Sequence, residues 1–333
     1  LLIEQAKKTP EKTAIISGEQ TITYKNLQAK ASCFAQSLVR LGVQPGEIVG
    51  ICLANTIEFV IAYFGILQAG GVVAAMNPGF PRRELQFQLK TTGLHWIITM
   101  NEKVKDFIPD GVSAGAIQFI LVDQFSGNYD KQRSRSFNDL IQESVDAVKL
   151  PVLDASTPAV IQFSGGTTGT PKAAMGLHQN IIANVTQFRQ WLVNLEEDGE
   201  TFLIAIPLYH VYGLVLGLIL GVAAGATLVF VEGAGEIQKI IKAIRQNPIS
   251  YFPAVPGIFY QINQYLQMHP EEPPIRSIKT CISGSAPLLD SIRNDFEKLT
   301  GARLVEGYGL SEAPTATHCN PVLGENRSGS IGL

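Results

Sequence analysis

A chain of 333 residues that is 46% hydrophobic and 17% charged can bury a large core or two domains, which excludes a disordered chain and suits a cytosolic globular enzyme. The formal net charge is −3 and no basic block occurs, so nucleic acid is not expected as a partner. The four cysteines (Cys33, Cys52, Cys281, Cys319) lack C-x-x-C spacing and the five histidines lack metal-ligand spacing, which points to a reduced, cytoplasmic compartment.

Leu1 to Gln5 reads as the interior of an amphipathic helix, without the basic and long apolar regions of a signal peptide. The chain is therefore expected to start inside a longer protein. Ile48 to Leu53 is a short apolar run, read as a buried strand. Asn55 or Thr56 can cap the following helix, which runs to about Ala69 and stops at Gly70-Gly71. Val72 to Ala75 is the next strand, which makes a strand–helix–strand unit with a right-handed crossover. Strands are also expected at 95–99 and 119–122. Residues 124–150 are polar and read as a surface segment in which Phe137 to Leu140 opens a short helix.

The second half alternates regularly. Strands at 158–163, 202–206, 226–231, 249–252, 278–282 and 302–306 are separated by helices near 176–194, 211–223, 235–246, 256–268 and 287–299. This predicts an α/β fold of doubly wound, mainly parallel sheets covered by helices. The expected division is a first α/β subdomain over 1–150 and a second over 151–333, with no internal sequence repeat. Thr201 to Val231 carries no charge and is long enough to span a bilayer. Pro207, Gly221 and Gly225 break it into a strand, a loop, a buried helix and another strand, which fits better than a membrane span.

The most informative stretch is Phe163-Ser164-Gly165-Gly166-Thr167-Thr168-Gly169-Thr170-Pro171-Lys172. Glycines let a backbone approach a ligand, successive N–H groups form an anion nest, and hydroxyls and a lysine add donors and charge. The mixture suits a loop around nucleotide phosphates. It is not a Walker A element, because Thr170 and Pro171 separate Gly169 from Lys172. Taken alone, it equally fits a Gly/Thr surface turn. Four more stretches follow strands: Pro207 to His210, Phe252 to Pro256, Ser283 to Leu288, and Glu306 to Glu312. On one parallel sheet, all five would converge on a single rim. Individually, each has an ordinary reading as a loop or a helix start.

Together and in this order, they resemble the ANL superfamily of adenylate-forming enzymes: acyl-CoA synthetases, peptide-synthetase adenylation domains and luciferases. Nearly the whole chain is similar to the large N-terminal domain of that superfamily. The 163–172 loop resembles its phosphate loop, and Tyr308-Gly309-Leu310-Ser311-Glu312 resembles its Tyr-Gly-x-Thr/Ser-Glu motif. Pro207-Leu208-Tyr209-His210 and Cys319-Asn320-Pro321 place it nearest to medium- or long-chain fatty acyl-CoA ligases, with aryl-CoA ligases close by.

The resemblance implies ATP-dependent activation of a carboxylic acid to an acyl-adenylate and then an acyl-CoA, releasing pyrophosphate and AMP. ATP, Mg²⁺ and coenzyme A are the implied cofactors and co-substrates. By resemblance, Thr167, Thr168, Gly169, Thr170 and Lys172 hold the β- and γ-phosphates, and Thr167 and Glu312 meet the Mg²⁺. Gly284, Ser285 and Ala286 pass along the adenine, Tyr308 stacks on it, and Gly309 belongs to the same implied nucleotide-binding set. Ser311 meets the α-phosphate, and His210 faces the carboxylate; Lys172, His210 and Glu312 form the implied catalytic set. The uncharged helix 211–223 is expected to line an acyl pocket. Its glycines Gly213, Gly217 and Gly221 either leave room for a chain or let the helix pack closely, the second being the weightier reading.

The expected partner is a fatty or aryl carboxylate, with peripheral membrane association and a homodimer left open. Alternatives are an adenylation domain that loads a carrier protein and a non-catalytic nucleotide-binding remnant. Two departures stand out. Ala173 occupies a position where the family usually has glycine. The mobile C-terminal domain, with its adenylation lysine, is absent from this sequence, so the fragment is expected to be poorly active.

Overall fold

The structure is a computed structural model that describes residues 1–108, 117–123, 133–142, 148–164, 171–231 and 236–333. In chain order, β1 (Thr13–Ser17) and β2 (Gln20–Thr23) form an antiparallel pair. Then come β3 (Ile48–Cys52), β4 (Val72–Ala75), β5 (Trp96–Thr99), β6 (Gln118–Leu121), β7 (Ser134–Ser136), β8 (Pro158–Ser164) and β9 (Lys172–Leu177). β10 (Thr201–Ile204), β11 (Thr227–Phe230), β12 (Tyr251–Ala254), β13 (Thr280–Ser283), β14 (Arg303–Leu310) and β15 (Ala313–Cys319) complete the set.

These strands make two sheets, each inside one compact unit. Residues 26–179 hold the order β7-β6-β5-β3-β4-β8-β9. Leu1–Lys25 and Asn180–Leu333 hold β15-β14-β13-β12-β10-β11-β1-β2. The division expected at residue 150 differs from these units, because strand pairing is non-local. β1 pairs in parallel with β11 (Ile15 opposite Leu228), which draws the N-terminal segment into the later unit. β8 pairs with β4 (Val73 opposite Val160), which keeps 151–179 in the earlier one.

In the unit 26–179 the short apolar runs are central parallel strands, buried on both faces. The helix Ile57–Gln68 starts where Thr56 Oγ1 accepts the Phe59 N–H at 3.2 Å, as the capping pattern requires. Leu27, Ala31, Phe34, Ala35 and Leu38, spaced on one side of the helix Tyr24–Arg40, are all fully buried. Ile97, Phe107, Leu121 and Ile161 lie in the core of this unit.

In the other unit, successive strand residues serve opposite faces. Leu203, Val229, Phe252, Cys281 and Leu304 pack with the helices Ile237–Gln246, Pro256–Met268 and Asp290–Thr300. The opposite face meets the helix 211–223, whose middle, Gly213–Ile219, is π-wound and wholly buried. A methyl group on Gly221 would overlap Leu228 and come within 3.2 Å of Phe202 Cδ2, and one on Gly217 would lie 3.2 Å from Ile204 Cδ1. The glycine stripe therefore brings the helix onto the sheet and leaves no room for a chain there.

At Gly213 the obstruction is backbone: a Cβ would overlap the Pro207 carbonyl oxygen and lie 2.9 Å from that of Ile206. Gly213→Ala gains about 1 kcal/mol of helix propensity but forces the chain apart. A net loss of about 1–3 kcal/mol in urea unfolding is expected. Unchanged stability would contradict this packing.

Among the described residues, no helix is long and apolar enough to cross a membrane. The uncharged run 201–231 is instead β10, the helix just described, and β11.

Candidate functional site

β10, β12, β13 and β14 are adjacent and mutually parallel, so their carboxyl ends share one edge. At about 4.8 Å per strand, four tips span about 15 Å, the length scale of a nucleotide. From β10 the chain moves to β11 on one side. It then returns to β12 on the other side and continues outward to β13 and β14. The crevice of such a sheet opens where the direction reverses, here between β10 and β12.

The stretch after β10 ends in His210, whose N–H donates to the Pro207 carbonyl at 3.1 Å. The Tyr212 N–H donates to His210 Nδ1 at 3.2 Å. A neutral imidazole with Nδ1 accepting carries its proton on Nε2, so the free edge of His210 is a hydrogen-bond donor. Desolvation by its surroundings pushes the His210 pKa below the ordinary 6.5. The ring is therefore neutral near pH 7. His210 should titrate below 6.5 in imidazole NMR spectra, with the resonance assigned by its loss in His210→Gln; a midpoint at or above 6.5 would contradict this environment. Because the folded-state value is lowered, any linked stability is complete above pH 6.5 and falls as pH drops toward the folded value.

Tyr212 was not singled out in the sequence. Its hydroxyl donates to the Ile282 carbonyl at 2.7 Å, and its ring fills the space beside Gly284, where a Cβ would lie 3.1 Å from Tyr212 Cε1. The Gly284 N–H donates to the Ala254 carbonyl at 3.1 Å, joining the tips of β12 and β13. Ser285 then adopts φ 69°, a left-handed conformation unusual for a residue with a Cβ. The turn exposes Ser285 and Ala286. Glu306 on β14 steadies the far side by accepting the Leu288 N–H at 3.2 Å.

The Tyr308–Glu312 motif does not follow a strand ending at 306. β14 runs on to Leu310 and pairs antiparallel with β15, so Ser311 and Glu312 form the turn of a hairpin. Tyr308 sits opposite His318, with ring centroids 6.1 Å apart in an edge-to-face arrangement, and it stays 42% exposed. Gly309 has no room for a side chain, since a Cβ there would overlap the Thr315 carbonyl oxygen.

His210, Gly284, Ser285, Ala286, Tyr308, Gly309, Ser311 and Glu312 thus all belong to the tips of neighbouring strands of one sheet. The glycine-rich stretch does not share that sheet. It links β8 to β9 in the unit 26–179, and Lys172 is the first residue of β9, exposed and opposite Ser164. The helix expected from 176 starts at His178, because β9 occupies the residues before it. Gly165, Gly166, Thr167, Thr168, Gly169 and Thr170 lie outside the described residues. Ala173, opposite Phe163, is exposed strand backbone that accepts its methyl without strain.

Magnesium prefers six oxygen ligands and keeps several as water or phosphate, needing one or two carboxylates. Among the described residues, no group of three or more His, Cys, Asp and Glu side chains is gathered for a metal. Glu312, a single exposed carboxylate on a hairpin turn, fits an ion that arrives with a polyphosphate rather than a resident metal.

Comparison with known proteins agrees with this fold. The AMP-binding enzyme family profile matches residues 2–333. A long-chain-fatty-acid–CoA ligase of Bacillus subtilis (strain 168) is 33% identical over 357 positions, covering all of this chain and 63% of its own length. Among solved structures, a benzoate CoA ligase from Burkholderia xenovorans LB400 superposes with a TM-score of 0.85 at 21% identity, covering 99% of this chain and 64% of that one. The o-succinylbenzoate coenzyme A synthetase of Bacillus subtilis, in complex with ATP and magnesium ion, gives a TM-score of 0.82 at 22% identity, covering 99% and 64%. The chain therefore spans less than two thirds of the length of these relatives. By the family profile's match to residues 2–333, with a fold shared with CoA ligases of known structure, this chain belongs to the AMP-binding enzyme family.

Proposed function

We propose that the full-length protein activates a carboxylic acid, a fatty acid foremost, with ATP and passes the acyl group to coenzyme A. The observation that carries this reading is the line of four adjacent strand tips bearing His210, the Gly284–Ala286 turn and the Tyr308–Glu312 hairpin, in a chain of the AMP-binding family. The 33% identity to a long-chain-fatty-acid–CoA ligase supports the fatty-acid choice.

In this reading the adenine lies along the turn Gly284, Ser285 and Ala286, of which Ser285 and Ala286 are exposed, and stacks on the exposed face of Tyr308. Ser311 donates to the α-phosphate. Lys172 and the hydroxyls and N–H groups of Thr167 to Thr170 neutralise the β- and γ-phosphates. Glu312, with Thr167, holds Mg²⁺, which when bound screens the phosphate charge that would repel an incoming carboxylate. The neutral His210 points a donor, Nε2–H, at the substrate carboxylate. That bond orients the carboxylate without removing its nucleophilic charge, as an imidazolium ion pair would tend to do.

Bond-making then balances simply. A carboxylate oxygen bonds to the α-phosphorus, and pyrophosphate leaves with the electrons of the broken P–O bond. A thiolate next bonds to the acyl carbon, and AMP leaves with the electrons of the C–O bond.

The test is an assay of AMP and acyl-CoA formation by the full-length protein with ATP, coenzyme A, acids from acetate to palmitate, and benzoate. Preference for a medium- or long-chain acid is the expected result. Preference for benzoate would move the substrate to the aryl class, and nucleotide binding without adenylate formation with any acid would overturn the reading.

A further inference from the structure

We propose that Asn184 is a positioning residue that sets the hairpin presenting Tyr308 and Glu312, and through it the affinity for ATP·Mg²⁺. This rests on the reading of the hairpin given above.

Asn184 lies in the helix His178–Trp191, on the side that buries Ile181, Val185 and Phe188. An apolar residue would be the ordinary choice there, since asparagine is a poor helix former and a buried carboxamide is costly unless bonded. Here it is bonded well. Oδ1 accepts the N–H of Thr315 at 3.0 Å and that of Ala316 at 3.3 Å, and Nδ2 donates to the Ala316 carbonyl at 2.6 Å.

Thr315 and Ala316 belong to β15, at the place where the hairpin ladder is irregular. Tyr308 pairs with His318, Gly309 with Ala316 and Leu310 with Ala313, so β15 uses more residues than β14 over this stretch. β15 is also the edge strand of its sheet. Its extra residues turn main-chain groups away from β14, and the one carboxamide supplies the partners that a neighbouring strand would otherwise provide. The bulge lies directly opposite Gly309, next to Tyr308 and three residues from Glu312. The carboxamide touches neither ligand nor ion in this reading. It acts by fixing the backbone from which the stacking ring and the carboxylate project.

The experiment measures ATP binding to the full-length protein by calorimetry, with Mg²⁺ titrated at fixed ATP. Asn184→Ala is expected to raise both the ATP dissociation constant and the half-saturating Mg²⁺ by about tenfold or more, the usual effect of removing a residue that orients a metal ligand. Asn184→Leu, which keeps the core filled, is measured as well and should give the same rise even if the alanine variant does not fold. Asn263→Ala is the control. Asn263 is also a buried helical asparagine, whose Nδ2 donates to the Ile292 carbonyl at 2.8 Å, far along the chain from the hairpin. Its loss should lower the melting temperature without changing either binding quantity. If Asn184→Leu lowers only the melting temperature, as Asn263→Ala does, the proposal is overturned. Glu312→Ala, run alongside, separates the two layers. If it alone raises the half-saturating Mg²⁺, only the role of Asn184 fails. If neither variant does, the hairpin reading fails with it.

Discussion

Replacing Glu312 by alanine in the full-length protein is expected to lower kcat/KM for adenylation by about 100- to 1000-fold. The carboxylate sits on the Ser311-Glu312 turn, exposed, and belongs to no carboxylate cluster that could substitute for it among the described residues. Losing it leaves the triphosphate charge less screened as the substrate carboxylate approaches. The rate loss should shrink as Mg²⁺ is raised, because a weakened site can still be filled by mass action. Glu312→Gln keeps the shape but not the charge and should resemble alanine more than wild type. Folding stability should change by less than about 0.5 kcal/mol, as for other exposed positions without packing roles. A variant with wild-type turnover and an unaltered Mg²⁺ dependence would exclude Glu312 from the site.

Gly309→Ala is expected to be the most damaging single methyl group on the hairpin. The new Cβ would overlap the Thr315 carbonyl oxygen and come within 3.2 Å of Ala316 Cα. Both obstacles are backbone, and the carboxamide of Asn184 holds that same backbone from behind. Neither side can yield cheaply, so β14 and β15 must separate. A loss of about 3 kcal/mol in urea unfolding is expected, at the high end for overpacking, together with weaker ATP binding because Tyr308 and Glu312 move with the hairpin. Wild-type values for both the unfolding midpoint and the ATP dissociation constant would show that the hairpin is looser than its hydrogen bonds indicate.

Much of the strand pattern is legible because burial writes itself into local composition. Ile48 to Cys52 and Val72 to Ala75 are continuous apolar runs, and such runs fit strands covered on both faces. The helix at 57–68 announces itself by Thr56 at one end and Gly70-Gly71 at the other. The helix Tyr24–Arg40 was readable too. Leu27, Ala31, Phe34, Ala35 and Leu38 follow helical spacing and are all fully buried.

What stays hidden is what depends on partners far along the chain. No local signal says that β1 will pair with β11 or that β8 will join β4, so the division into units could not be placed. The same holds for a likeness between the two sheets. In each, a strand is followed by a neighbour on one side and then by three parallel strands on the other. In each, too, a parallel strand with an antiparallel edge partner closes the far end: β8 and β9 in one, β1 and β2 in the other. No repeat is visible in the residues because packing constrains polarity and volume, not identity.

The site divides in the same way. His210, Gly284, Tyr308 and Glu312 stand out only together, because each has an ordinary reading alone while their joint occurrence in this order does not. Tyr212 and Asn184 did not, because each acts through backbone groups of other strands. Asn184 is intelligible only once the register of β14 against β15 is known. The glycines of the helix 211–223 left two readings open, and the closeness of Ile204, Leu228 and Pro207 decides for packing.

A crystal structure of the full-length protein with ATP and Mg²⁺ is the most direct check on the assignment of this rim to a magnesium–triphosphate. It should place a Glu312 carboxylate oxygen about 2.1 Å from the ion, Tyr308 against the adenine, and Lys172 on the terminal phosphates. A nucleotide bound with its base away from the β13 and β14 tips, or an ion with no contact to Glu312, would contradict it.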